Sequence, residues 1–229
     1  MSRWTDMPLA AFDLETTGPN PLEDRIVTAC LITIDGKDTS TQSWLLDPEI
    51  EIPDGASAVH GVTTDRARAE GAPYEDGYGE IRQAVERAWL EGRVIAAYNG
   101  SFDFTIIDRE GRRLGYPTFD FGPIVDPYVI DRAVDKFRRG SRKLSDVCKH
   151  YGIALDNAHS ADADALAAAR LAWILGHNAP ELLELTIDEL MTKQAEWHRE
   201  RQDDFAAYLL RQGKDASDVC GDWPIRGAA

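Results

Sequence analysis

Two acids, Asp13 and Glu15, stand two residues apart at the end of a short apolar run, residues 8–14 (PLAAFDL). Side chains of an extended strand alternate between faces, so both carboxylates point the same way and share one small volume. Like charges that close force one group to keep its proton unless a cation stands between them. An all-oxygen donor pair suits Mg²⁺ or Mn²⁺ rather than zinc. Alone, the pair reads more simply as solvated acids at a strand end.

A third acid, Asp103, closes the motif Tyr98-Asn-Gly-Ser-Phe-Asp103, just past a strand and at the opening of a helix. In open sheets, ligands bind at the carboxyl ends of strands. A fourth piece is His159-Ser-Ala-Asp-Ala-Asp164, in which His159 precedes a helix and Asp164 falls within its first turn. A neutral imidazole with a pKa near about 6.5 suits removal of a proton from water at neutral pH, and the carboxylate adds a metal ligand. Each piece has a plainer reading: Asp103, Asp162 and Asp164 as helix-dipole acids, Ser160 as an N-cap, Asn99 and Gly100 as turn residues. D-x-E, N-x-x-x-D and H-x-x-x-x-D in this order, each at a strand end or a helix start, favour the functional reading.

These residues need a sheet whose strand ends meet helix starts. Residues 8–14 run into five turn formers, Thr17-Gly-Pro-Asn-Pro21, and read as a strand ending in a loop. Residues 25–34 (RIVTACLITI) are rich in β-branched side chains, close at the hairpin signal Asp35-Gly36 and precede a second β-prone run, 39–46. Between 76 and 91, Ile81, Ala84, Val85, Ala88 and Trp89 recur at helical spacing before Gly92. A strand at 93–98, a helix at about 102–114, a β-prone run at 119–125 and a further helical stretch follow. Residues 158–176 form an alanine-rich helix with Leu166, Ala169 and Trp173 on one packed face. A strand meander followed by alternating strands and helices predicts an α/β fold. Its mixed five-stranded sheet has three antiparallel strands, then parallel ones, with helices on its faces.

The chain has 229 residues, 43% of them apolar and 9% aromatic, enough for a real core in one large domain or one domain with an appendage. Forty acids against 25 bases give a net charge of −15. That is the wrong sign for coating nucleic acid through a broad basic surface, so a phosphate partner needs a local device. Cys30, Cys148 and Cys220 are far apart, with no C-x-x-C pair. Neither a disulfide framework nor a cysteine zinc site is expected, and a reducing, cytoplasmic location is. No signal peptide, membrane span or membrane partner is expected. The charge-dense tail beyond Pro180 reads as helical to Gly213, with Trp197, Phe205 and Tyr208 expected to pack intramolecularly.

The motifs Phe12-Asp-Leu-Glu-Thr-Thr-Gly18, Tyr98-Asn-Gly-Ser-Phe-Asp103 and His159-Ser-Ala-Asp-Ala-Asp164 resemble the DEDDh group of the DnaQ-like exonuclease superfamily, the proofreading-type 3′-to-5′ exonucleases. Ala58-Val-His-Gly-Val-Thr63 is similar to the loop such enzymes carry after the third strand. The resemblance spans roughly residues 8–176, which sets an exonuclease-like domain, 1–178, apart from a C-terminal helical extension, 179–229. It implies a ribonuclease H-like fold, with Asp13, Glu15, Asp103 and Asp164 holding two Mg²⁺ or Mn²⁺ ions and His159 as general base. It implies hydrolysis from the 3′ end of single-stranded DNA, releasing nucleoside 5′-monophosphates. Thr16, Thr17 and Gly18 would then meet the terminal 3′-hydroxyl, Gly18 keeping that approach uncrowded. Asn99 and Phe102 would neighbour the substrate's end, and His60 is counted with them, although its position outside any D-spaced pair favours packing within its loop. Asp126 is a supporting residue only, because Pro127 replaces the small residue usual there. An exoribonuclease of the same superfamily is the alternative, and a non-catalytic nucleic-acid-binding scaffold a more distant one. No DNA polymerase or clamp partner is evident. The bases Lys136, Arg138, Arg139, Arg142 and Lys143 are expected to contact phosphates, and His150 and His177 to be structural or surface residues.

Overall fold

The computed structural model describes residues 3–155 and 160–227. The strands are β1 (Leu9–Thr16), β2 (Ile26–Asp35), β3 (Asp38–Leu45), β4 (Val94–Ala96) and β5 (Ile124–Val125). The helices are α1 (Asp54–His60), α2 (Thr64–Glu70), α3 (Tyr74–Leu90), α4 (Ser101–Arg113), α5 (Pro127–Val134), α6 (Leu144–His150), α7 (Ala161–Asn178), α8 (Pro180–Leu183) and α9 (Ile187–Arg211). One mixed sheet runs in the order β3-β2-β1-β4-β5. β1, β2 and β3 pair antiparallel, and β4 and β5 extend the sheet parallel to β1. The parallel strands are shorter than their β-prone runs: β4 stops at Ala96 ahead of the turn into α4, and residues 119–123, before β5, lie outside the sheet.

Parity along β1 sorts its side chains between two cores. Ala10, Phe12 and Leu14 enter one with Ile81 of α3 and Phe104 of α4; Ala11 enters the other with Ala165, Leu171 and Ala172 of α7. Fully buried side chains such as Phe12, Ile26, Leu31 and Ile107 each contribute about 1.5–3 kcal/mol. Asp13 and Glu15 share the parity of Ala11 and therefore face the α7 side.

Three expectations need correction. Residues 58–63 are not a plain loop: α1 ends at His60, Gly61 takes the left-handed conformation (φ 76°) that stops it, and Thr63 caps α2 by accepting the Arg66 N–H at 3.2 Å. The alanine-rich helix starts at Ala161, and Trp173 on it is 55% exposed, stacked on His177 at 4.2 Å. α7 approaches the sheet through small side chains, Ala165, Ala169 and Ala172, a spacing that leaves no room for an indole. In the tail, Trp197 packs against both cores, but Phe205 and Tyr208 are 43% and 48% exposed.

A capping box between Thr186 and Glu189 starts α9. Leu182 and Leu190 are buried in the α7 core, and Trp4 donates its indole N–H to the Leu182 carbonyl at 2.8 Å. No helix among the described residues is long and apolar enough to cross a membrane.

Candidate active site

β4 pairs with β1 only as far as Ala11 opposite Ala96, so residues 12–16 of β1 project beyond their parallel neighbour. That overhang opens a crevice at the carboxyl edge of the sheet. Asp13 and Glu15 stand on it, and the first turn of α7 brings Asp164 to the same place. One carboxylate oxygen from each of the three lies within 4.8 Å of the others. Asp103, in the first turn of α4, is only 4% exposed and accepts the Leu14 N–H at 3.0 Å. It thus grips the strand between the two β1 acids from the opposite layer, while standing outside that group of three.

Burial, and then the charges of Asp103, Glu15 and Asp164, push the Asp13 carboxyl well above its ordinary range. Burial and Asp164 raise Glu15 to about 7. Burial also raises Asp103 well above its usual value, against the opposing pull of the Leu14 N–H. Crowded acids that resist ionisation in the bare protein are the expected mark of a site built around a cation.

The turn that delivers Asp103 is itself held. Asn99 adopts φ 60°, and its N–H and that of Gly100 donate to the two Asp126 carboxylate oxygens at 2.9 and 3.0 Å. Asp126 is wholly buried, caps α5 by accepting the Tyr128 and Val129 N–H groups, and is raised by burial to about 6. Its own N–H donates to Gln194 Oε1 at 2.6 Å, while Gln194 Nε2 donates to the Ile124 carbonyl at 3.0 Å and the Trp223 indole reaches Asp126 at 3.4 Å. Gln194 of α9 and Trp223 beyond it therefore hold the site's scaffold. Sequence reasoning missed Gln194 and Trp223, and a polar residue alone on a helix carries no local signal of a partner 68 positions away.

Thr16 and Thr17 are buried at the strand end. Thr16 donates its hydroxyl to the Gly18 carbonyl, and Thr17 donates to Asp24 Oδ1 at 2.8 Å. Gly18 has a nearer reason to be glycine than an uncrowded ligand approach: a Cβ there would lie 2.7 Å from the Asp24 carboxylate oxygens. His60 accepts the Val62 N–H on Nδ1 and lines a small cavity with Glu15 and Asp162, its pKa lowered by burial. Asn99 is exposed at the cleft mouth, whereas Phe102 faces a neighbouring cavity closed by α9. His159 lies outside the described residues. The basic run also divides. Arg138 and Arg142 each pair with buried Asp131 at 2.6 Å and so serve the fold, because a buried carboxylate needs their charge. Lys136, Arg139 and Lys143 are exposed.

A model of the exonuclease family RNase_T matches residues 10–172. A PolC-type DNA polymerase III of Lacticaseibacillus paracasei is 25% identical over 176 residues, 76% of this chain and 12% of that one. The DNA polymerase III subunit epsilon of Treponema pallidum is 28% identical over 174 residues, 75% of this chain and 78% of the relative. Among solved structures, E. coli exonuclease I in complex with a dT13 oligonucleotide matches with a TM-score of 0.66 at 23% identity, over 77% of this chain and 42% of that one. The chain thus spans about an eighth of the PolC-type polymerase and under half of exonuclease I. The structural likeness shows a shared ribonuclease H-like fold.

Proposed function

The chain belongs to the RNase_T exonuclease family, and on that basis we propose that it removes nucleotides from the 3′ end of single-stranded DNA. The observation that carries the reading is the convergence of Asp13, Glu15 and Asp164 within 4.8 Å, with Asp103 clasping the strand between the first two. DNA is favoured because relatives on both sides of the comparison are DNA enzymes by name, and exonuclease I was solved with an oligonucleotide of dT.

The donor set fits hard divalent cations, since it is all oxygen, doubly crowded and reluctant to ionise without a counter-charge. Asp13, Glu15, Asp103 and Asp164 would hold two Mg²⁺ or Mn²⁺ ions, which would supply the positive charge that a phosphodiester displacement needs. His159 takes the proton of the attacking water as general base. The new bond forms between that water oxygen and the terminal phosphorus, and the bond from phosphorus to the 3′ oxygen of the preceding nucleotide breaks. The products are a nucleoside 5′-monophosphate and a strand one nucleotide shorter with a free 3′-hydroxyl. The Thr16 main chain, held at the end of β1, orients the terminal 3′-hydroxyl. The exposed Asn99, fixed through Asp126, stands at the mouth where that nucleotide enters.

The test uses 5′-labelled DNA and RNA strands of one sequence, with Mg²⁺ or Mn²⁺, beside Asp13→Ala and EDTA controls. Stepwise shortening of DNA, lost in both controls, is expected. A strong preference for RNA would move the activity to ribonucleases, and no metal-dependent shortening of either strand would overturn the reading.

A further inference from the structure

A groove of about 480 Å³ runs between α5 and α9 and adjoins the carboxylate cleft, sharing Tyr128, Arg132 and Arg142 with it. Besides the exposed Lys136, its cations are of two kinds. Arg138 and Arg142 share Asp131, and Arg138 also pairs with Asp135, so two acids balance two bases. Among the described residues, Arg132 and Arg201 have no carboxylate within ion-pair distance, although Glu200 and Asp204 line the same groove. Both guanidinium groups lie 5.3 Å from the centroid of one ring, that of Tyr128. Arg201 is half-buried, and its Nε has no hydrogen-bond partner. Burial first, and the like charge of Arg132 as well, hold the Arg201 guanidinium below its ordinary pKa, against the pull of Tyr128.

Two cations without an ion-pair partner, one of them half-buried and both against one ring, repel each other until an anion joins them. Phe205, 43% exposed, and Trp197 bring two more aromatic surfaces to the same groove. Cations interspersed with rings are what a flexible single strand needs: phosphates settle on arginines and bases stack on aromatic faces. The position agrees as well, since groove and cleft are neighbours that share Tyr128, Arg132 and Arg142 in their walls.

We infer that this groove holds the nucleotides of the DNA strand that precede the one being cleaved, with phosphates on Arg132 and Arg201 and bases against Tyr128, Trp197 and Phe205. The inference rests on the exonuclease reading and adds to it a binding track built partly from α9, beyond the residues the family model matches.

Fluorescence anisotropy tests it, with Mg²⁺ and in an Asp13→Asn background so that strands stay intact. Affinities for dT12 and dT3 are compared with and without Arg132→Gln and Arg201→Gln, singly and together, each variant being checked by thermal melting so that a misfolded double variant does not decide the matter. The double variant is expected to weaken dT12 at least about tenfold and dT3 less than about threefold. The slope of log affinity against log salt should fall by about 1.4, roughly 0.7 for each phosphate no longer neutralised. Equal losses on both lengths, or an unaltered salt slope, overturn the inference. So does a groove whose arginines are needed for an acidic peptide but not for dT12. If wild type shortens DNA while dT12 binding ignores both arginines, the groove falls and the exonuclease reading stands. If the binding loss appears but wild type shortens nothing, the exonuclease reading falls, and with it the cleavage track, while the groove stands only as a single-strand binding surface.

Discussion

In the metal-free protein the carboxylate cluster opposes folding, so acidification from pH 8.5 to 5.5, a range in which ordinary carboxylates do not titrate, should stabilise it. The oxygens of Asp13, Glu15 and Asp164 lie within 4.8 Å of one another, and two unit charges at that separation repel by roughly 3.5 kcal/mol at an effective dielectric of about 20. The Glu15 carboxyl gives a second figure, in which burial outweighs the repulsion from Asp164. Its rise from 4.5 to about 7 corresponds to roughly 3 kcal/mol, and solvent screening at its open edge reduces that to about 2 kcal/mol. Because the folded protein keeps a proton that the unfolded chain has released, this contribution is full below about pH 4.5 and is lost as pH rises through about 7. Asp13 and Asp103, both raised, act in the same direction. Between pH 8.5 and 5.5 the gain is about 1–2 kcal/mol, or roughly 2–8 °C in Tm for a chain of this size. Melts followed by circular dichroism in EDTA would read it. Asp13→Asn should melt several degrees above wild type at pH 8.5, with a flatter pH profile. Added Mg²⁺ should reverse the wild-type slope, because cation and proton compete for the same oxygens. A metal-free Tm that rises with pH over this range, or an Asp13→Asn profile parallel to wild type, would show that the cluster does not store this repulsion.

Asp126→Asn leaves one acceptor oxygen where two backbone N–H groups of the Asn99–Gly100 turn are now satisfied; a loss of about 2–4 kcal/mol in denaturant unfolding is expected, with activity falling because Asp103 loses its anchor. Gln194→Leu removes a buried donor and acceptor that serve Asp126 and Ile124, and should cost about 2–3 kcal/mol by the same measurement, an effect that a loosely docked α9 would not show. Arg142→Ala strips a partner from buried Asp131 and should cost about 3 kcal/mol, whereas Arg139→Ala, on the exposed part of the same basic run, should change Tm by less than the scatter of the melts.

Asp13 and Glu15 were legible in the sequence because strand alternation is local and settles which face both occupy. Asp103 and Asp164 followed because each opens a helix directly after a strand end or a distinctive loop. Non-local geometry was less accessible. No spacing rule shows that Asp103 takes the Leu14 N–H while Asp13, Glu15 and Asp164 form the tight group, since that depends on β1 outrunning β4. Trp173 was misplaced because helical periodicity identifies an apolar stripe but not how closely the helix approaches its sheet, and alanines decided that here. The helices α1 and α2 span seven residues each, too short for an apolar repeat to declare itself, so their caps were the only signal. In sequence the basic run is one unit, and only the fold separates Arg138 and Arg142, which serve Asp131, from the exposed Lys136, Arg139 and Lys143.

Whether the four acids form a cation site for nucleotide chemistry can be seen by anomalous diffraction at the manganese edge, from crystals grown with Mn²⁺ and thymidine 5′-monophosphate. Peaks bounded by the carboxylates of Asp13, Glu15, Asp103 and Asp164, with the phosphate against them, are expected. Manganese bound elsewhere, or a nucleotide held with no manganese among these four acids, would contradict the assignment of the site.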